Sequence, residues 1–119
     1  MERGKIKIEN NAVVMTTAKG TVWLSQYQIA DLFGVFTGKV NSNIRSILKS
    51  GALDKEKVQF NLNQTDGKIV PLYNLEMITA LAFRIVSPQA DIFRKWLLDR
   101  SSTGKMVFYN LPGTNIILN

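Results

Sequence analysis

Apolar and polar residues alternate at a period of two near the start of the chain, which predicts β-strands. Residues 5–9 follow this pattern, and residues 13–17 are expected as the return strand after an Asn-Asn pair that favours a turn. Residues 18–20 supply a second turn, which leads into the apolar residues 21–24. We therefore expect an N-terminal β-hairpin or a meander.

The apolar spacing becomes helical after Ser25. Ser25 and Gln28 have the spacing of a capping box, and Gly34 is suited to end this first helix. A second helix is predicted over Thr37–Ser50, with Gly51 as its stop.

Strand-like spacing returns in residues 58–63 and 68–73, which flank a loop at residues 64–67. The loop contains an Asp-Gly pair, a strong indicator of a hairpin turn. This hairpin is the candidate wing. After it, Asn74 is expected to cap a helix over residues 75–84, and Pro88 is expected to open another helix.

Together these elements predict an α+β fold, a winged helix-turn-helix with an N-terminal β-hairpin, a wing hairpin and two C-terminal helices. Ala30, Gly34 and Val40 keep the offsets of a helix-turn-helix: a small residue at the crossing, a tight turn, and a side chain packed between the helices. We expect a single domain over residues 1–119. Its parts are the helix-turn-helix (25–50), the wing (57–73), the C-terminal helices (74–100) and a strand-like tail (101–119).

The composition of the chain limits the classes of function and of partner that are expected. Fifteen Lys and Arg against nine Asp and Glu give a net charge of +6, which favours nucleic acid as partner before an anionic membrane, although basic character also serves solubility alone. The chain has no Cys and no His, which excludes thiol nucleophiles, Ser-His-Asp units and His-ligated metals. We therefore expect no enzyme activity, no cofactor, no metal and no small-molecule substrate. Residues 1–11 lack the apolar core of a signal peptide, so a cytoplasmic protein is expected.

The predicted helix over Thr37–Ser50 carries the candidate site. No acidic residue occurs between Leu32 and Leu53, and the side opposite the apolar stripe holds small polar residues and cations. A helix that enters the major groove of DNA needs this combination. Asn41, Ser42 and Arg45 are candidates for base contacts, Thr37, Lys39 and Lys49 for phosphate contacts, and Gln64, Thr65 and Lys68 for wing contacts. Gln26 and Tyr27 are further candidates for backbone contacts.

Other side chains are expected to be structural. Five aromatic residues fall on apolar faces and are expected in the core rather than on a base-stacking surface: Trp23, Phe33, Phe83, Phe93 and Trp96. Asp54 and Glu56 are expected in a solvated loop rather than as a catalytic carboxylate pair.

Several separated motifs resemble one family in the same order. They are Trp23-Leu-Ser-Gln, Ile29-Ala-Asp-Leu-Phe-Gly-Val, Asp66-Gly-Lys, Tyr73-Asn-Leu-Glu-Met-Ile, Phe83-Arg-Ile-Val-Ser and Phe93-Arg-Lys-Trp. Over about two-thirds of the chain, residues 21–100, the sequence resembles the RhuM virulence-protein family. The last of these segments is also similar to the end of phage antirepressor domains of the Bro-N type. The resemblance implies a bacterial DNA-binding protein associated with mobile elements. Taken with the pattern of the second helix, it leads us to expect a transcriptional regulator that binds double-stranded DNA.

The chain departs from the family pattern at three places. Phe36 stands where a capping Ser is usual, so Thr37 is expected to cap the second helix one residue later. The second wing strand is short and contains Pro71, so an ordinary hairpin without DNA contacts is the alternative to the wing. The tail turns into apolar strand-like stretches at residues 107–109 and 116–118, from which we expect a homodimer. Phe36 and this tail also favour an alternative function, a protein-interaction module that keeps the fold without contacting DNA.

Overall fold

Helices and short antiparallel strands alternate in the computed structural model, which describes the backbone of residues 1–103 and the side chains of residues 1–99. The elements are β1 (Lys5–Glu9), β2 (Ala12–Thr16), β3 (Leu24–Ser25), α1 (Gln26–Phe33), α2 (Thr37–Ser50), α3 (Lys55–Val58), β4 (Gln59–Asn63), β5 (Ile69–Tyr73), α4 (Leu75–Ala82) and α5 (Pro88–Thr103). The predicted α+β class is confirmed.

The first hairpin pairs β1 with β2 and forms as its pattern predicts. Asn10 and Asn11 have φ angles of 53° and 60°, as a two-residue type I′ turn requires. Its alternation keeps Ile6 and Ile8 against the core while the charged side chains of β1 face solvent. The alternative of a meander is wrong, because β3 joins a different sheet, in which it pairs with β5.

The second sheet has the order β3-β5-β4, so the proline-containing strand is central. The N–H of Gln64 donates to the carbonyl oxygen of Lys68 (2.8 Å), and the N–H of Asn74 donates to that of Val58 (3.0 Å). Because bonded and non-bonded pairs alternate along an antiparallel ladder, Pro71 lies at a non-bonded pair and its nitrogen points away from β4. On that side β3 has already ended, so no ladder bond is lost.

The loop between β4 and β5 is a three-residue turn with glycine at its last position. The N–H of Gly67 donates to the carbonyl oxygen of Gln64 (3.0 Å), and Gly67 has a φ of 87°. The Asp66 carboxylate accepts from the N–H of Lys68 (2.9 Å), which stabilises the turn locally.

At the other end of the hairpin, burial raises the pKa of Tyr73 above its ordinary value of 10.0 because desolvation disfavours the phenolate.

A tight corner joins α1 to α2. The capping box at the start of α1 is present: the Ser25 hydroxyl accepts from the N–H of Gln28 (3.2 Å), and the Gln28 side chain accepts from the N–H of Ser25 (2.9 Å). Gly34 ends α1 with a φ of 67°. A Cβ at Gly34 would lie 2.8 Å from the side-chain amide of Gln89 at the start of α5, so the corner is closely packed as well as left-handed.

The core fills the space between the helices and the sheets. Phe33 and Phe93 are fully buried and meet edge to face, with ring centroids 5.7 Å apart. Trp96 packs against Phe93 with the two rings tilted and their centroids 5.6 Å apart. Trp96 and Trp23 are both half-buried. The aromatic prediction is therefore confirmed for the two phenylalanines and in part for the tryptophans.

The prediction that Phe83 lies in the core is wrong, because 54% of its surface is exposed. The predicted helix over residues 75–84 ends at Ala82, and Phe83 takes the C-cap position. Phe83 comes seven residues after the exposed Glu76 and therefore projects from the same solvent-facing side of the helix. Leu81, Ala82 and Ile85 fill the core at this end of α4.

Two further boundaries differ from expectation. Asp54 and Glu56 do not lie in a loop: Asp54 caps the short helix α3 by accepting from the N–H of Glu56 (3.0 Å), and Val58 belongs to that helix rather than to the wing strand. The last helix, expected to reach residue 100, continues to Thr103.

The strand-like stretches expected at residues 107–109 and 116–118 lie outside the described residues, and so does the surface from which the homodimer is expected. Within residues 1–103, no helix has the length and apolarity that a membrane crossing requires.

We predict that Gly34→Ala lowers the free energy of unfolding by about 1–2 kcal/mol, since a non-glycine residue is strained at this positive φ. Gly38→Ala is the control: Gly38 has an ordinary helical conformation and a Cβ there would meet no atom within 4 Å. It should raise the free energy of unfolding by about 0.5–1 kcal/mol. Urea denaturation of both variants measures these changes, and equal effects of the two substitutions would contradict the assigned role of the corner.

Candidate nucleic-acid interface

The core fixes the rotation of α2 about its own axis. Val40, Ile44 and Ile47 are buried, and they recur at the spacing of one helix face. The opposite side is exposed along its whole length. We call it the α2 outer face; it consists of Gly38, Lys39, Ser42, Arg45, Ser46 and Lys49.

The α2 outer face has a central row of small residues with cations on both sides. Gly38, Ser42 and Ser46 follow one another four residues apart and form the central row. Arg45 and Lys49 make the neighbouring row on one side, and Lys39 lies on the other. The helix can therefore approach a surface closely along its middle while its edges carry positive charge.

These cations have no described acidic partner. Within the described side chains, Lys39, Arg45 and Lys49 form no ion pair, in contrast to Lys95, whose ammonium lies 3.3 Å from the Asp91 carboxylate. Lys49 lies in the last turn of α2, where a cation is favourable to the helix dipole. Lys39 lies in the first turn, where a cation is unfavourable. Helix stability therefore does not account for Lys39.

The start of α2 lacks the features that stabilise helix ends. Phe36 occupies the N-cap position without a side-chain hydrogen bond, and 89% of its surface is exposed. The expectation that Thr37 caps the helix is wrong, because Thr37 is already its first helical residue. Gly38 adds a flexible residue at the second helical position. Each other helix within residues 1–103 receives a side-chain bond at its start, from Ser25, Asp54, Asn74 or Ser87.

The predicted site residues differ in accessibility. Lys39, Ser42, Arg45 and Lys49 are exposed on one face, as are Gln64, Thr65 and Lys68 on the β4–β5 hairpin. Thr37 and Asn41 are half-buried at the border of the apolar stripe, which leaves them less accessible than the others. Of the two α1 candidates, Tyr27 is exposed and Gln26 is half-buried.

The β4–β5 hairpin is a separate element from the α2 outer face. It packs on α1, α3 and α4, and its loop places the Asp66 carboxylate against the N–H of Lys68. The hairpin tip therefore combines an acidic and a basic side chain. Among the described contacts, none joins Lys68 to a residue of α2.

Arg84 joins the α2 outer face although no sequence pattern singled it out. Its Nη1 donates to the Ser46 Oγ at 3.0 Å, across 38 positions of the chain. The sequence pattern placed Arg84 at the end of a helix, where a cation is ordinary. Only the packing of α4 beside α2 brings its side chain to this surface.

An open groove of about 470 Å³ lies elsewhere, between β1 and α1. Its polar lining includes Lys5, Glu9, Gln28 and Asp31, and no residue of α2 contributes to it. The described side chains contain no group of three acidic residues that could hold a metal ion.

Comparison of the chain with protein-family models, with curated proteins and with solved structures found no match.

We predict that Phe36→Ser raises the free energy of unfolding by about 1 kcal/mol, because a serine at this N-cap can accept from the free N–H groups of the first turn. The exposed Phe36 ring contributes little packing that would be lost. Ser25→Ala is the matched control and should lower stability by about 1 kcal/mol, since it removes a cap that is present. A loss of stability in Phe36→Ser would contradict the prediction and would indicate that the ring is covered in solution.

Proposed function

We propose that this chain is a non-catalytic winged helix-turn-helix protein that binds double-stranded DNA by placing the α2 outer face in the major groove. The observation that carries the proposal is the α2 outer face itself, an exposed helix surface with unpaired cations on both edges, small residues between them and no carboxylate. The major groove of B-DNA is wide enough to admit one α-helix. The phosphates on its two sides match the two cationic edges.

The start of α2 supports the same proposal. Phe36, Gly38 and Lys39 each disfavour the first turn of the helix, and no side-chain cap hydrogen bond offsets them there. Departures from local stabilising rules are expected where a protein meets its partner. Gly38 lets the backbone approach DNA closely, and Lys39 beside free N–H groups is suited to a phosphate.

The elements around α2 support the proposed winged helix-turn-helix. Ala30 and Val40 are buried where the two helices cross, and Gly34 makes the turn between them. The β4–β5 hairpin then takes the place of the wing. The motifs that resemble the RhuM family favour a cytoplasmic regulator of a bacterial mobile element, and a homodimer through residues 101–119 remains part of this proposal.

The proposal predicts that Arg45→Ala weakens duplex binding by about 1–3 kcal/mol. Fluorescence anisotropy with mixed-sequence duplex DNA at low salt measures the affinity, and circular dichroism checks that the fold is intact. Lys7→Ala is the charge-matched control, because Lys7 is exposed on the first hairpin, away from α2. Equal affinities of the Arg45 and Lys7 variants would argue against α2 as the element that meets DNA.

Gly38→Ala should separate stability from function. We expect tighter folding, as given above, together with duplex binding weaker by about 1–3 kcal/mol, because a methyl group is forced into a close contact. Binding and urea denaturation are measured on the same sample. Unchanged duplex affinity in a stabilised variant would show that the α2 backbone does not approach DNA at this residue.

A second candidate is a protein-interaction module, and the exposure of Phe36 favours it. Phe83 and Val86 are further exposed apolar side chains at the α4–α5 connection. Salt separates the two candidates: binding through several phosphates weakens by orders of magnitude between about 50 and 200 mM salt. Absence of duplex binding at the lower concentration would favour the interaction module.

A further inference from the structure

The backbone that carries Arg84 is held firmly on both sides. The N–H groups of Arg84 and Ile85 both donate to the carbonyl oxygen of Leu81, at 3.0 and 2.9 Å. The guanidinium of Arg94 donates to the carbonyl oxygens of Ala82 (2.6 Å) and Ile85 (3.0 Å), which ties the α4–α5 connection to α5. The base of the Arg84 side chain therefore has a fixed position relative to the core.

The Arg84 guanidinium reaches the α2 outer face and keeps most of its donors free. An arginine has five N–H donors, and the bond to the Ser46 Oγ uses one of them. No ion pair joins Arg84 to a carboxylate among the described residues, and the residue is exposed. Its remaining donors are available to a partner that approaches α2.

Arg84 adds charge on the side of α2 that has fewer cations. Residues four apart advance by about 40° around a helix, so the central row slants and its last member, Ser46, projects from nearly the same side as Lys39. Arg45 and Lys49 border the other side of the central row. With Arg84 included, each edge of the α2 outer face carries two cations.

We propose that Arg84 is a phosphate-binding residue of the DNA interface, oriented by Ser46 and contacting the DNA strand on the Lys39 side of the groove. A planar guanidinium matches a phosphate with two parallel N–H donors, which a flexible ammonium does not. The inference rests on the proposed function. The rival role for Arg84 is a tether that holds α4 to α2 without contacting any partner.

The test uses the full chain and a fluorescently labelled, mixed-sequence DNA duplex, with affinities measured over a range of NaCl concentrations. Arg84→Ala should weaken binding about tenfold at low salt, as expected for one charged hydrogen bond. It should also reduce the slope of log affinity against log salt by about 0.9, the value for one phosphate contact on duplex DNA. Lys7→Ala, which removes the same charge from the first hairpin, should change neither quantity appreciably.

Two conservative variants separate charge from orientation. Arg84→Lys keeps the charge and should retain the salt slope while losing part of the affinity, because it lacks the planar fork. Ser46→Ala keeps the guanidinium and should likewise retain the slope with a smaller loss. Urea denaturation of every variant measures the free energy of unfolding, which should fall if Arg84 holds α4 to α2.

The outcomes distinguish the inference from the function on which it rests. If the wild-type chain does not bind the duplex, both are overturned. If Arg45→Ala weakens binding while Arg84→Ala matches Lys7→Ala, only the inference is overturned. An Arg84→Ala variant that loses stability but keeps the salt slope of the wild type assigns the residue to the tether and also overturns the inference.

Discussion

The burial of three side chains of α2 determines where every other residue of that helix points. Val40, Ile44 and Ile47 are almost completely removed from solvent, each a contribution of about 1.5–3 kcal/mol relative to an exposed side chain. Any rotation that turned Arg45 inward would expose this stripe and bury an unpaired charge. Because the helix is rigid, the same packing that stabilises the domain also orders the cations on its outer face.

That packing allows the start of α2 to be locally unfavourable. An uncapped helix, a glycine at its second position and a lysine in its first turn together work against helix formation. The buried stripe further along the helix compensates, since most helical stability in a folded protein comes from tertiary contacts. The stability of the fold and the chemistry of the outer face are thus located on opposite sides of one helix.

Features that depend on neighbouring residues could be predicted from the sequence. The Asn-Asn turn of the first hairpin, the capping box at Ser25 and the left-handed Gly34 all follow from local backbone and side-chain preferences. The apolar period of α2 likewise gave its bounds and its exposed face.

Features that depend on distant contacts could not be predicted. The pairing of β3 with β5 joins residues about fifty positions apart, and nothing in either strand specifies the other. The bond from Arg84 to Ser46 requires α4 and α2 to lie side by side, so sequence spacing alone gave no indication of it. The four-residue helix α3 is too short to show a period, although Asp54 is a good cap.

Pro71 has a consequence for how the β4–β5 hairpin behaves in a crowded solution. Beyond the end of β3, the outward side of β5 is an open sheet edge, and such edges recruit strands from other molecules. The residue at the first outward position past β3 is the one amino acid that offers no backbone donor to an incoming strand. On this side of the sheet an incoming strand therefore finds one backbone donor fewer, while β4 forms the other edge without a proline.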